Sequence, residues 1–310
     1  MLFRINQNKM RYLLSFLTAL LLFSCAAPTQ ESTDDTIKVV CTTSIMTDWV
    51  SNVATDQMEV IPLLKVGIDP HVYKPSKKDL DLLREADVII YHGLHLEGKI
   101  IEVLEHIDGK IIIDAAKNFP DELIIRDPNF PASTDPHAWF DKELAQNSVK
   151  TIVGELLQNY PDKAAGIELK MGQYFSMMDS VATEVNDIVS TIPEEQRLVI
   201  TTHDALSYFA RDYGLRVKTL QGASTVSEFG LREITDLVDF IVEQRVPAIF
   251  LENIISPQAM ESVQRGCASK GFEVKIGPEL LSDSLGSEED QNTYFKMLIF
   301  NAKTIAEYLN

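Results

Sequence analysis

The sequence predicts an α/β protein: two (β/α) lobes with parallel sheets, joined by one long rigid backbone helix, with a cleft between the lobes. Three observations carry this. Short unbroken apolar runs alternate with longer stretches of helical periodicity, the pattern of strands buried on both faces and returned by helices. One stretch, residues 161–189, is helical throughout with no internal proline and is far longer than its neighbours. The alternation then restarts beyond it, so the long helix divides two similar bodies.

In order, "KVVCTTSI" (38–45) predicts a buried strand, residues 46–54 a helix and "MEVIPLL" (58–64) a second strand. "SKKDLDLLREA" (76–86) has leucines at helical spacing and Ser76 placed to cap it. "DVIIYHG" (87–93) is a strand, 97–106 a helix and "KIIIDAA" (110–116) a strand. Residues 117–140 hold four prolines and little periodicity, which predicts a loop, and a helix follows over 141–160. Pro161 suits the start of the long helix and "TIPEEQ" (191–196) its stop. About 28 residues at 1.5 Å each span about 42 Å, more than one small lobe. The second half reads as strands at 197–203, 216–222, 247–253 and 272–277, with helices at 204–214, 231–245, 257–269 and 293–309.

The chain has 310 residues, 45% hydrophobic and 24% charged, with a net charge of −18. That balance excludes nucleic acid as a partner, since phosphate binding needs concentrated Lys and Arg. The first 24 residues carry Arg4, Lys9 and Arg11 before an apolar run from Tyr12 to Phe23, too short to span a bilayer and consistent with a signal peptide. It ends in "LFSC", which resembles a bacterial lipobox and implies cleavage before Cys25 and lipid on its sulfur. Cleavage would take the net charge from −18 to −21. Residues 25–36 are then a lipidated flexible tether, small, polar and acidic. The expected domains are 1–24 signal, 25–36 tether, 37–160 N-terminal lobe, 161–191 linker helix and 192–310 C-terminal lobe. Cys41 and Cys267 are expected buried and reduced, with a single disulfide between them as the alternative.

Ligands of open parallel sheets bind past the carboxyl ends of the strands. His71 and His137 fall in loops, His203 ends a strand, and Asp283 lies in the loop after the last strand. Three imidazoles and a carboxylate suit a divalent first-row metal, and two of them precede the long helix while two follow it. His71 and His137 share the lead-in Asp-Pro-His, in which proline stiffens the backbone and Asp69 and Asp135 can accept backbone hydrogen bonds. Glu252, at a strand end in the second lobe, is the acidic group expected to orient an imidazole. A loop histidine is by default a solvated polar residue, so spacing alone leaves both readings open. His92 and His95 of "HGLH" are expected to be structural and His106 solvated. Tyr73, Trp139 and Phe140 either shield a metal or pack the core. No Gly-x-Ser-x-Gly, Walker or His-Glu-x-x-His pattern occurs.

The ordered series "LFSC", "GIDPHVYKPSKKDL", "YHGLHLEGKI", "TDPHAWFD", "HDALSYFARDYGL", "LQGASTVSE", "PAIFLEN" and "ELLSDSLG" resembles the metal-binding lipoproteins of zinc/manganese ABC importers, a cluster of the solute-binding proteins. The resemblance covers residues 38–310. It implies two lobes bridged by a backbone helix and a metal held by His71, His137, His203 and Asp283. It further implies one transported Zn²⁺ or Mn²⁺ per chain, a permease with its ATPase as partner, a monomeric chain anchored outside the cytoplasmic membrane, and no enzymatic activity. Histidine rather than glutamate at 203 matches zinc-type and mixed members, whereas the His-rich loop of zinc-dedicated members is absent. An exported metallohydrolase and an adhesin with a structural metal are the competing readings.

Overall fold

A computed structural model describes residues 36–127, 133–226 and 229–310. The signal segment, Cys25, the tether up to residue 35, part of the proline-rich loop and residues 227–228 lie outside the described residues. Residues 36–310 form one compact body.

The N-terminal lobe holds a parallel sheet in the order β2-β1-β3-β4, with β1 Ile37–Cys41, β2 Met58–Pro62, β3 Val88–Tyr91 and β4 Ile111–Asp114. Between them run α1 Ser44–Val53, α2 Lys77–Glu85 and α3 Gly98–Leu104, followed by α4 Lys142–Asn159. Ser76 caps α2 as its sequence suggests, and with Asp79 it closes a capping box. A short 3₁₀ turn at Pro161–Lys163 leads into α5, Ala164–Ser190, about 40 Å long. The C-terminal lobe has two parallel pairs, β5 Leu198–Thr201 with β6 Arg216–Thr219 and β7 Ala248–Glu252 with β8 Lys275–Leu280. Its helices are α6 Ser207–Tyr213, α7 Leu231–Gln244, α8 Gln258–Ser269 and α9 Tyr294–Leu309.

Alternate residues of each central strand serve different cores, which is why these strands read as unbroken apolar runs. Val39 and Cys41 of β1, and Val88 and Ile90 of β3, face the core shared with α1, α4 and α5. Val40 and Ile89 face the outer layer of α2 and α3. In the second lobe Val199, Ala248 and Phe250 join the first core, while Ile200 and Ile249 face α7 and α8. One apolar core therefore runs through both lobes. Cys41 and Cys267 are buried and unpaired, in different cores.

β8 extends past the expected end at 277. The pairing register skips Pro278 between Phe250 and Leu251, so a bulge accommodates a residue that cannot donate to the ladder. The strand thus reaches Leu280, three residues before Asp283. The loop from 117 to 140 is less irregular than its prolines suggest. It contains 3₁₀ turns at Asp121–Leu123 and Ala138–Phe140 and an antiparallel bridge between Arg126 and Thr134.

Candidate metal centre

The strand ends and loops converge so that His71, His137, His203 and Asp283 offer ligand atoms all within 4.8 Å of one another. All four are buried, His71 at 6% exposure being the most open.

Each donor is fixed by its local backbone. Asp69 Oδ1 accepts from His71 N–H at 2.8 Å and Asp135 Oδ1 from His137 N–H at 2.9 Å, so the two Asp-Pro-His turns use the same device. The first turn is also tied to the other lobe: Asp69 Oδ2 accepts from Thr225 Oγ1 at 2.7 Å, and Gly67 N–H donates to Ser284 Oγ at 2.8 Å. Gly67 sits at φ +79°, where a side chain would strain the turn. His203 leaves the end of β5, and its N–H and that of Thr202 both donate to Glu252 Oε1 at 2.8 Å. The loop of Asp283 is bracketed by Asn301, which bonds Leu281 N–H and C=O, and by Asn253, which bonds Ser282 N–H and Ser284 C=O. Trp139 Nε1 donates to Ser282 O at 3.1 Å across the cleft.

Two imidazoles have carboxylates on the far nitrogen. His137 Nδ1 lies 2.7 Å from Asp135 Oδ1. His203 Nδ1 lies 2.5 Å from Glu252 Oε2, an ion-pair contact that is not aligned as a hydrogen bond. Both contacts leave Nε2 turned inward. His137 Nε2 stands 3.3 Å from His71 Nε2 and 3.3 Å from His203 Nε2. Asp283 Oδ1 is 3.4 Å from Nε2 of both His137 and His203, and Oδ2 is 3.1 Å from His71 Nε2. Neither carboxylate oxygen has a hydrogen-bond partner. A tetrahedron with metal–nitrogen bonds of about 2.0–2.1 Å has edges of about 3.3–3.4 Å, close to these five separations, and the four ligand atoms together lie within 4.8 Å.

The electrostatics agree. Burial opposes charge on His137, but Asp283 and Asp135 outweigh it and raise its pKa to about 9. Burial likewise opposes charge on His203, and Glu252 with Asp283 raises it well above the usual imidazole range. Asp283 is held well below the usual carboxylate range by His137 and His203 in spite of its burial. The same carboxylates that face His137 and His203 thus favour the charged form of both rings.

The remaining aromatic and histidine candidates lie outside the cluster. His92 is buried, 2.7 Å from Thr43 Oγ1 through Nε2, and burial lowers its pKa to about 3, so it stays neutral. Its ring packs on Trp49 and Trp139, and Trp139 packs edge-on against His137 at 5.2 Å between centroids. His95 sits in a left-handed turn with Gly93 and Leu94, and His106 caps its own helix by contacting Glu102 O. Tyr73 donates to Asp79, and Phe140 packs on Phe209. The Asp-x-His spacing predicts the backbone hydrogen bond of Asp135; its contact with the His137 ring is an addition that the structure reveals.

The family model for the periplasmic zinc-uptake complex component A (ZnuA) matches residues 39–308. The manganese-binding lipoprotein MntA of Bacillus subtilis is 35% identical over 282 residues, 90% of this chain and 92% of that protein. The zinc-binding protein TroA of Treponema pallidum is 34% identical over 275 residues, 87% of this chain and 88% of that protein. The solved structure of TroA superposes with a TM-score of 0.85, covering 88% of this chain and 99% of that one. Fe(III)-bound YtgA from Chlamydia trachomatis gives a TM-score of 0.78 at 26% identity, covering 88% of this chain and 98% of that one. With two lobes on a long helix, a buried three-histidine, one-aspartate cluster between them and a match over 39–308, the chain belongs to the zinc-uptake complex component A (ZnuA) family.

Proposed function

We propose that this chain is the extracytoplasmic metal-binding component of an ABC importer. It captures one Zn²⁺ or Mn²⁺ between His71, His137, His203 and Asp283 and delivers it to a membrane permease driven by an ATPase. The observation that carries the reading is Asp283: a fully buried carboxylate with no hydrogen-bond donor, faced by three Nε2 atoms at 3.1–3.4 Å. A buried carboxylate that accepts no hydrogen bond is costly, and a divalent cation offsets that cost. Asp135 and Glu252 orient the rings of His137 and His203. Four buried protein donors favour holding an ion over catalysis, which needs an open coordination position for water.

In this reading residues 1–24 are the removed signal, Cys25 carries lipid and residues 25–36 tether a monomeric body to the membrane. Residues 37–160 and 192–310 are the lobes bridged by 161–191. The proposed attachment is the lipid on Cys25; among the described residues no helix is long and apolar enough to cross a membrane. Relatives named for manganese and for zinc both match, and the nitrogen-rich donor set intrinsically favours zinc.

The test is to strip the protein of metal and titrate it with Zn²⁺ and Mn²⁺ in competition, measuring bound metal per chain. One ion per chain is expected, lost in His137→Ala and Asp283→Ala. Stoichiometric binding in both variants would overturn the assignment.

A further inference from the structure

The four donors come from four segments, so their spacing depends on whatever holds those segments in register. His137 belongs to the N-terminal lobe and His203 to the C-terminal lobe, yet their Nε2 atoms stand 3.3 Å apart. One connection between the two segments is α6, the helix that starts four residues after His203. Tyr208 Oη donates to Asp135 O at 3.0 Å and accepts from Ile125 N–H at 3.1 Å. One turn later, Arg211 Nη1 donates to Leu123 O at 2.7 Å and Nη2 to Asp141 Oδ2. The guanidinium lies over the Tyr208 ring, 4.9 Å from its centroid. Asp212 Oδ2 accepts from Lys142 N–H at 3.1 Å.

All of these partners fall between residues 123 and 142, the segment that carries His137. Tyr208 grips it two residues before the histidine, at the same Asp135 whose side chain orients the ring. Arg211 grips it four residues after, at the Asp141 that caps α4. The fork of Arg211 reaches a carbonyl with one Nη and a carboxylate with the other, a planar two-nitrogen geometry that the single ammonium of lysine does not reproduce. Tyr208 is fully buried, so its hydroxyl has no solvent to replace a lost partner.

We propose that Tyr208 and Arg211 are positioning residues that set the bite between His137 and His203, and through it the rate of metal release and the preference between ions. This rests on the metal-binding reading above. Manganese stands at the weak end of the divalent series and zinc near the strong end. A weakly bound ion has less binding energy with which to draw loosened donors into place, so it depends more on their being placed beforehand. Loosening α6 therefore weakens manganese more than zinc and speeds the release of both.

The experiment compares wild type with Tyr208→Phe, Arg211→Lys and Arg211→Ala as metal-stripped, refilled proteins. It measures Kd for Mn²⁺ and Zn²⁺, release of Zn²⁺ to a chelator in excess, and thermal unfolding of the metal-free forms. All variants are expected to bind one zinc per chain. Mn²⁺ Kd rises about 10-fold in Tyr208→Phe and Arg211→Ala while Zn²⁺ Kd rises less than about 3-fold, zinc release accelerates about 10-fold, and Arg211→Lys recovers part of the loss. An unchanged Mn²⁺/Zn²⁺ ratio overturns the proposal, including the case in which both affinities fall together with melting temperature. If wild type itself fails to bind one ion per chain, the metal-binding reading fails, which is a distinguishable result. Arg211→Lys keeps the charge and the aliphatic stem, so the comparison survives should Arg211→Ala misfold.

Discussion

Replacing Glu97 with Gln tests the energetics beneath the site. Glu97 is wholly buried and ties the ends of β1 and β3 together: Oε1 accepts from Thr42 Oγ1 at 2.6 Å and from His92 N–H at 2.9 Å. Its Oε2 is buried without a hydrogen-bond partner. Burial raises its pKa from 4.5 to about 7, against the lowering effect of its two donors. A group raised on folding contributes stability that is complete below the unfolded value and is lost as pH rises through the folded one. The wild type should therefore lose stability between about pH 4.5 and pH 7 through this carboxyl, by about 3 kcal/mol at about 1.4 kcal/mol per unit. Gln keeps the accepting oxygen and cannot ionise. Urea unfolding of both metal-free proteins at pH 5, 6, 7 and 8 isolates the effect, because other titrating groups are common to the pair and cancel in the difference. The variant should gain on wild type by about 3 kcal/mol across this range, or roughly 5–10 °C in melting temperature. Parallel stability curves for the two proteins would refute the reasoning.

Asp135→Asn retains an oxygen for His137 N–H but loses the charge on the ring, so zinc affinity should fall about 10-fold, and Asp135→Ala should lose about 100-fold; competition titration separates the two. Metal loading at pH 7 should release protons, because His137 titrates at about 9 and His203 is also raised; calorimetry in buffers of different ionisation enthalpy reads the number, and affinity falls as pH falls. For the metal-free chain the same raised values mean stability that is complete below the ordinary imidazole range and lost as pH rises through about 9, a loss that melting curves from pH 7 to 10 should show and bound zinc should suppress. Trp139→Phe deletes the hydrogen bond to Ser282 O and shrinks a buried ring, which should cost about 2 kcal/mol in urea unfolding while one zinc per chain still binds.

Much of the fold is legible in the sequence because both faces of the central strands are buried. Val39, Val40 and Cys41 serve two cores in turn, so the run has no polar gap to disguise it. β8 is the exception: Pro278 reads as a terminator, and only the bulge opposite Phe250 and Leu251 allows the strand to continue. In the site, the four donors stand out through their residue type and their place at strand ends or in loops. Their supports do not. Asp135 serves its own turn and the His137 ring with one oxygen, and a spacing of two residues cannot separate these roles. Arg211 meets Asp141 across 70 positions, and no local pattern encodes so distant a pairing.

The apolar core that runs from β1 and α1 through α5 to Phe250 and α9 has a consequence for cooperativity. Two lobes with separate interiors would melt as independent units and show two calorimetric transitions. Here the inner layers are joined: α1 and α4 line the N-terminal sheet, α9 lies on β8, and α5 packs against all three of these helices. Loss of either lobe strips the other of one wall, so the body from residue 36 to 310 should unfold in a single transition, with backbone amides of β1 and β5 exchanging at the same, global free energy.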